Sequence, residues 1–328
     1  MTPTTTTLYV ATTGGHLAQL RAFADRIPAG GPQLWVTHEN EQSRSLLADR
    51  AVEFVPYVGV GDVAGVLRCV PHAHRLWRKH RIGCAVSTGS GIALGYLPYL
   101  AARGVACHYI ESAARTCGPS RTGRVLRWTP GVAMYSQYDR WARPPWRYNG
   151  NWFDGYEAAS ERRVLGRRLL VVVTVGTAEE FPFRRLFTTL VPLLAPGGPV
   201  ATALGRPVTV LWQTGGTPVT DLPIHARPFL PETELRAALR AADIVVCHAG
   251  TGSMRAALDA GHLPVVAPRL ASAGEAGDDH QRELAAELAR RGLAMVAEAD
   301  AITPEDLLGT LGVAVRRTPV LPSFDLVR

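Results

Sequence analysis

The stretch Ile244-Val245-Val246-Cys247-His248-Ala249-Gly250-Thr251-Gly252-Ser253 decides how the rest of the chain is read. Ile244 to Cys247 is a short apolar run of the kind buried on both faces of a parallel sheet. It breaks directly into a loop with glycines at 250 and 252. A helix is expected next, because Met254, Ala257, Leu258 and Gly261 fall on one face. Strand, glycine turn and helix together aim backbone N–H groups and the positive end of a helix dipole at whatever the loop holds. A diphosphate suits that geometry, with Ser253 as an added donor. A plain strand-to-helix turn with Ser253 as N-cap suits the same residues equally well. The loop has no Gly-Lys-Ser/Thr, so it is not a P-loop, and it is not the GxGxxG dinucleotide fingerprint.

The same unit recurs outward from this stretch. Leu8 to Ala11 is an apolar run followed by Thr12-Thr13-Gly14-Gly15 and a helical pattern from His16. Leu34 to Val36, Val52 to Val55, Ala85 to Thr88 and Ala106 to Ile110 are further strands of the first half. Leu169 to Val175, ending at Gly176, Thr209 to Trp212 and Pro264 to Ala267 belong to the second. Strands alternating with helices predict an α/β chain of two doubly wound Rossmann-like domains facing across a cleft at the carboxyl ends of both sheets. The length of 328 residues and an apolar fraction of 47% suffice for two cores. Residues 140–168, with Pro144, Pro145, Asn149, Gly150, Asn151 and Gly155, read as the crossing between a domain 1–160 and a domain 161–328. The last residues are expected to pack back on the first domain.

Composition narrows the function. The formal charge is +7 and Lys79 is the only lysine, a bias that fits a GC-rich genome better than a nucleic-acid site. Without a basic run or a recognition signature, nucleic acid is not an expected partner, whereas a diphosphate or an acidic membrane is. Five cysteines (69, 84, 107, 117 and 247) with no CxxC pair argue against structural zinc or a disulfide framework and for a reducing cytosol. Met1 to Thr7 has neither a basic nor an apolar leader region, so a cytoplasmic location is expected. The apolar stretch 91–106 is interrupted by Pro98 and Arg103 and is too short to span a bilayer.

Four more places can carry chemistry. Gly277-Asp278-Asp279-His280-Gln281 opens a helix expected over 282–291, where His280 and Gln281 suit sugar hydroxyls and Asp278 or Asp279 suits helix capping. Two adjacent aspartates without a third ligand do not make a metal site, and no cofactor is expected. Gly14-Gly15-His16 sets an imidazole at a helix start, where it can act as a general base or be an ordinary half-exposed histidine. Glu111, just past a strand end, is the second candidate base. Residues 63–81 mix Leu67, Leu76 and Trp77 with Arg68, Arg75, Arg78, Lys79 and Arg81. That is a basic amphipathic helix, kinked or restarted at Pro71, that either packs on the core or lies on an acidic membrane.

Taken together these segments resemble glycosyltransferase family 28. The second half carries Val173-Thr174-Val175-Gly176-Thr177, the 242–253 strand and loop, and Asp278-Asp279-His280-Gln281, as in the catalytic subunit of the eukaryotic transferase that adds the second GlcNAc to dolichol-diphosphate-GlcNAc. The first half carries Gly14-Gly15-His16, Ser87-Thr88-Gly89-Ser90-Gly91 and Tyr109-Ile110-Glu111-Ser112-Ala113-Ala114-Arg115, as in that enzyme's membrane-recruiting subunit. The chain resembles the two subunits fused, an arrangement similar to MurG. The resemblance implies a GT-B fold, a UDP-sugar donor, inversion at the anomeric carbon and no bound metal. By position it puts Phe229 and Leu230 beside the base and Gly250, Thr251, Gly252 and Ser253 at the diphosphate. Asp279, His280 and Gln281 fall at the donor sugar, and His16 and Glu111 on the acceptor side. Gly14, Gly15, Gly176, Thr177 and His248 fall in loops around the cleft, and Leu67, Leu76 and Trp77 on the membrane-facing helix. One position departs: the family's ribose-binding Glu, six residues past the first loop glycine, is Ala256 here.

The expected activity is transfer of a hexose to a polyprenyl-diphosphate-linked sugar in cell-surface polysaccharide synthesis, with peripheral contact at the inner face of the membrane through residues 63–81. Transfer to a soluble small molecule is the alternative. A nucleotide-sugar 2-epimerase or a non-catalytic subunit ranks below both, because an epimerase needs several carboxylates around the sugar and only Glu111 stands out.

Overall fold

The computed structural model describes residues 5–28, 30–59, 61–162, 168–176 and 181–327, with backbone alone at 160–162. Contacts divide the chain into two compact units, Met1–Asp154 with Val320–Arg328, and Gly155–Pro319.

The first unit runs β1 (Thr6–Ala11), α1 (Gly15–Ala24), β2 (Gln33–His38), α2 (Glu41–Leu46), β3 (Ala51–Val55), α3 (Val63–Lys79), β4 (Ile82–Gly89), α4 (Gly91–Ala101), β5 (Ala106–Ile110), α5 (Arg121–Leu126), β6 (Val132–Ser136) and β7 (Trp146–Tyr148). Its strands form one parallel sheet ordered β3-β2-β1-β4-β5-β6-β7. Central strands covered on both faces need apolar side chains in both directions. Accordingly Leu8 and Val10 join the core under α3 and α4, while Tyr9 points to the other face and stacks on Trp35 at 4.6 Å.

The second unit runs β8 (Tyr156–Arg162), β9 (Leu169–Thr174), α6 (Arg184–Leu193), α7 (Pro199–Leu204), β10 (Val208–Gln213), β11 (Ala226–Arg227), α8 (Glu232–Ala241), β12 (Ile244–His248), α9 (Thr251–Asp259), β13 (Val265–Ala267), α10 (His280–Arg290), β14 (Met295–Val296), α11 (Pro304–Gly309) and β15 (Val313–Arg317). Its parallel sheet is ordered β11-β10-β9-β12-β13-β14, and β15 pairs antiparallel with β8. Val171, Val173, Ile244, Val246 and Val265 fill one core, and Val172 and Val245 fill the cluster on the opposite face. Both units are therefore Rossmann-like. In each, strand order reverses about the first strand, at β1/β4 and at β9/β12, and ligands of such sheets bind outside the carboxyl ends at that reversal.

Residues 140–168 are not the bare crossing that their prolines and glycines suggest. Trp146 opens β7 and is buried 5.1 Å from Trp141 and 6.3 Å from Tyr109, so the sheet gains an edge strand there, and β8 follows at Tyr156. The end of the chain packs into the first unit. Buried Arg26 donates to the carbonyls of Pro322 (2.9 Å) and Asn151 (2.6 Å), and Phe324 lies 4.8 Å from Phe23 and 5.4 Å from Tyr135. A phenylalanine so fully buried contributes about 1.5–3 kcal/mol. Helix α3 passes through Pro71 without the expected restart.

Candidate functional site

In the second unit the glycine loop forms as the strand–turn–helix pattern predicts. Gly250 is the N-cap of α9 in extended conformation, so Ser253 is not the cap. The first helical bond runs from Met254 N–H to the Gly250 carbonyl at 3.0 Å. The N–H groups of Thr251, Gly252 and Ser253 precede it and are left unused by the helix. Gly252 faces open space: a Cβ there would meet nothing within 4 Å. Gly250 is the opposite case, since a Cβ would come 2.1 Å from His248 Nε2. Gly176, in the left-handed region at φ +72°, also approaches the ring, with its would-be Cβ 2.9 Å from His248 Cε1. The imidazole thus lies against two backbone turns that only glycine permits. Burial first, and the Arg269 charge second, push the His248 pKa down to about 3, so the ring is neutral at physiological pH. Thr177 lies outside the described residues.

Around this loop, Asp278 accepts from His280 N–H (3.3 Å) and pairs with its Nδ1, which fixes the ring at the start of α10. Asp279 is the N-cap residue, but its Oδ1 accepts from Ala271 N–H at 3.2 Å rather than from the helix. Gln281 is buried, and its Oε1 accepts from Arg269 N–H at 3.1 Å. That oxygen holds the β13–α10 loop, a role the sugar-binding expectation did not include. Phe229 is 58% exposed, whereas Leu230 is 2% exposed. The Phe229 ring is open to a partner, whereas the Leu230 side chain is buried. At the ribose position, Ala256 packs half-buried beside Val172, Leu239 and Ala257.

In the first unit Gly14 is held at φ +89°, with its N–H bonded to Gln42 Oε1 at 2.6 Å, and Gly15 starts α1. His16 Nδ1 is 2.7 Å from the Thr88 carbonyl. That contact requires the proton on Nδ1 and leaves the Nε2 lone pair as a base. Thr88 Oγ1 donates back to the His16 carbonyl at 2.8 Å. Gly89, at φ +108°, leaves room for the ring, since a Cβ would lie 3.0 Å from His16 Cε1. Burial pushes the His16 pKa down, with Arg115 adding to the effect and the Thr88 bond opposing it, so the unprotonated form prevails near neutrality. Thr88 and Gly89 were visible only as part of a family-like segment; their use as the seat of His16 was not.

Glu111 is corrected. It is fully buried with both oxygens engaged: Oε1 accepts from Ser112 N–H (3.0 Å) and Tyr109 OH (3.2 Å), and Oε2 from Ser120 N–H (2.9 Å) and Ser120 Oγ (3.0 Å). Burial raises its pKa, and these bonds pull it back. With both oxygens engaged and no exposure, this carboxylate organises the 111–120 loop. Gln19 and Gln137 continue the buried network, with Gln137 Nε2 bonded to the Glu111 carbonyl (2.7 Å) and to Gln19 Oε1 (2.8 Å).

The amphipathic helix α3 divides along its length. Leu76 is fully buried in the core and so cannot be membrane-facing, while Trp77 packs half-buried against it. Leu67 is 63% exposed, and Val63 is exposed beside it. Past α5, Trp128 is 76% exposed with the Arg127 guanidinium 4.6 Å from its ring centroid, and Val125 is exposed as well. No described helix is long and apolar enough to cross a membrane.

Residues 170–316 match the family model described as glycosyltransferase family 28 C-terminal domain. No curated protein matches the chain by sequence. Among solved structures the chain is similar to MurG of Acinetobacter baumannii (19% identity, 92% of this chain and 88% of that one, TM-score 0.58). It is also similar to the kitacinnamycin glycosyltransferase (15%, 94% and 90%, TM-score 0.55) and to SnogD of Streptomyces nogalater (17%, 94% and 91%, TM-score 0.54). These likenesses establish a shared fold, that of GT-B glycosyltransferases built from two Rossmann-like domains.

Proposed function

We propose that this chain, whose second unit is a glycosyltransferase family 28 C-terminal domain, is an inverting transferase that moves a hexose from a UDP-sugar to a polyprenyl-diphosphate-linked sugar. The observation that carries the donor half is the turn at Gly250. Three N–H groups that the helix leaves unused stand at the positive end of a nine-residue helix, and a Cβ at Gly252 would meet nothing within 4 Å. His16 supplies the base. Its Nε2 takes the proton of the acceptor hydroxyl, and the oxygen attacks the anomeric carbon from the side opposite the nucleotide. The bond from that carbon to the diphosphate breaks, and its electron pair leaves on the terminal phosphate oxygen. The N–H groups of Thr251, Gly252 and Ser253 stabilise the charge that develops there. With Nδ1 committed to Thr88, the histidine keeps one tautomer throughout the proton transfer. Exposed Val63, Leu67, Val125 and Trp128, set among arginines, favour a lipid-linked acceptor taken from the inner face of the cell membrane. Buried Leu76 and half-buried Trp77 shorten that apolar face, which favours the second reading, a soluble acceptor.

The test is a thermal-shift screen of UDP-, GDP- and dTDP-sugars, followed by transfer assays on lipid-linked and soluble acceptors. A true donor at a hundred times its Kd should stabilise the protein by about 2.7 kcal/mol. Gly252→Asp places a carboxylate in open space at the anion site. It should fold normally and lose the donor. If no sugar nucleotide stabilises the wild type, or Gly252→Asp keeps full activity, the proposal fails.

A further inference from the structure

Beside the glycine turn lies a buried cation with an incomplete set of partners. Arg269, two residues past β13, is 3% exposed. Its Nη2 donates to the Val175 carbonyl at 2.9 Å, immediately before Gly176, and its guanidinium carbon lies 5.5 Å from the Phe183 ring centroid. Its Nε is buried and has no acceptor among the described residues. The nearby acid, Glu275, is already engaged. Its Oε1 accepts from Arg185 Nε (3.2 Å), and its Oε2 from Arg185 Nη2 (3.0 Å) and Leu270 N–H (3.1 Å). The Arg269 charge reaches His248, the ring that Gly176 and Gly250 both approach. From Val175 through Gly176 and His248 to Gly250, the cation and the N-cap of α9 are joined by direct contacts.

Burying a cation with no dedicated carboxylate among the described residues is costly, and an apolar side chain of similar length would fill the space for less. What only a charge supplies is a field, and an anion is what that field favours. We propose that Arg269 is the counter-charge of the donor diphosphate: a positioning residue that holds the Gly176 turn through Val175 and supplies positive potential behind the α9 N-terminus. This rests on the donor reading given above and adds to it a residue outside the glycine loop. Arg269 takes no part in bond making. It acts through the turn and through space, in the ground state and as charge builds on the leaving group.

The experiment measures binding of UDP, UMP and uridine to wild type, Arg269→Lys, Arg269→Gln and Arg269→Met by calorimetry at low and high salt. Arg269→Met should weaken UDP roughly tenfold or more, UMP less, and uridine hardly at all. Affinity for UDP should fall in the order Arg, Lys, Gln, and its salt dependence should flatten when the charge is removed. Should Arg269→Met not fold, the Lys and Gln variants carry the same comparison. Equal losses for all three ligands would mean that the residue only shapes the loop, and unchanged UDP affinity would mean that it does nothing for the diphosphate. Either result overturns the assignment while leaving the donor reading intact. A wild type that binds none of UDP, GDP or dTDP removes the donor reading, and this assignment with it.

Discussion

Replacing Glu111 by glutamine separates the two histories that a carboxylate at a strand end can have. In the structure each oxygen accepts one backbone N–H, from Ser112 at 3.0 Å and from Ser120 at 2.9 Å, besides one hydroxyl. The hydroxyls of Tyr109 and Ser120 can turn round to accept from an amide. The two backbone groups cannot. Whichever way the new amide is flipped, its NH2 faces one of them and leaves a buried donor unmet. An unmet buried donor costs about 1–3 kcal/mol, and losing the charge-assisted character of the remaining bonds brings the sum to roughly 2–5 kcal/mol. Relief of the buried charge, whose pKa is raised by burial, holds the figure to the lower part of that range. For a unit of this size the first unit's unfolding midpoint should fall by roughly 4–15 °C. His16→Asn is the counterpart. It should cut kcat by roughly 10²–10⁴ while leaving the midpoint nearly unchanged, because it removes a proton acceptor and little packing. Calorimetric unfolding and single-turnover transfer, run on both variants, read the two quantities separately. If Glu111→Gln unfolds at the wild-type temperature yet loses as much kcat as His16→Asn, Glu111 is a base after all and the loop-organising role is wrong.

Four other outcomes are expected. The His16 pKa is lowered by burial, so kcat/KM should stay level as pH falls to about 6.5 and decline only below it; a decline starting above that value would exclude His16 in this environment. His108 and His248 are held at about 4 and about 3. The unfolded chain therefore takes up protons below about pH 6.5 that the folded chain refuses, and stability, full above that pH, should fall as pH drops towards those values, as melting curves across pH will show. Gly250→Ala should lose nucleotide binding and roughly 1–3 kcal/mol of stability, because its Cβ falls 2.1 Å from a ring that Gly176 also approaches; Gly252→Ala, with nothing within 4 Å, should leave the melting temperature unchanged, and equal effects at both positions would refute the packing described. Leu67→Asp should abolish sedimentation with acidic vesicles without lowering the melting temperature, whereas Leu76→Asp should unfold the first unit; a Leu67→Asp protein that still sediments would rule out α3 as the contact.

How much of this was legible depended on whether the determining contacts are local. The parallel strands were readable because burial on both faces forces runs such as Leu169 to Val175, and the glycine turns because no other residue fits beside His248. Strand β7 was missed: three residues with one buried side chain carry no periodicity, and Pro144 and Pro145 signal a loop just before them. The β8–β15 pair was missed for a related reason. Its strands, Tyr-Glu-Ala-Ala-Ser-Glu-Arg and Val-Ala-Val-Arg-Arg, show no clean apolar/polar alternation, and their register partners, Tyr156 with Arg317, lie at opposite ends of the second unit's sequence. Leu76 and Leu67 belong to one amphipathic pattern, and only the packing of α3 on α4 determines which of them reaches solvent.

The two buried charges at strand ends show where sequence position stops being informative. Glu111 and Arg269 both follow the carboxyl end of a parallel strand, the place from which functional side chains of such sheets project. Position alone therefore recommends both. Their bonding separates them: Glu111 has every lone pair facing a donor, through Ser120 nine residues on and a Gly123 whose missing side chain lets that oxygen close in, whereas Arg269 keeps an Nε with no acceptor among the described residues and an acid already bound to Arg185. A satisfied buried charge has spent its interaction energy within the fold, and an unsatisfied one still has some to spend on a ligand. None of the residues that make this difference stands near its charge in a recognisable spacing, so the distinction exists only once the loops have folded around each group.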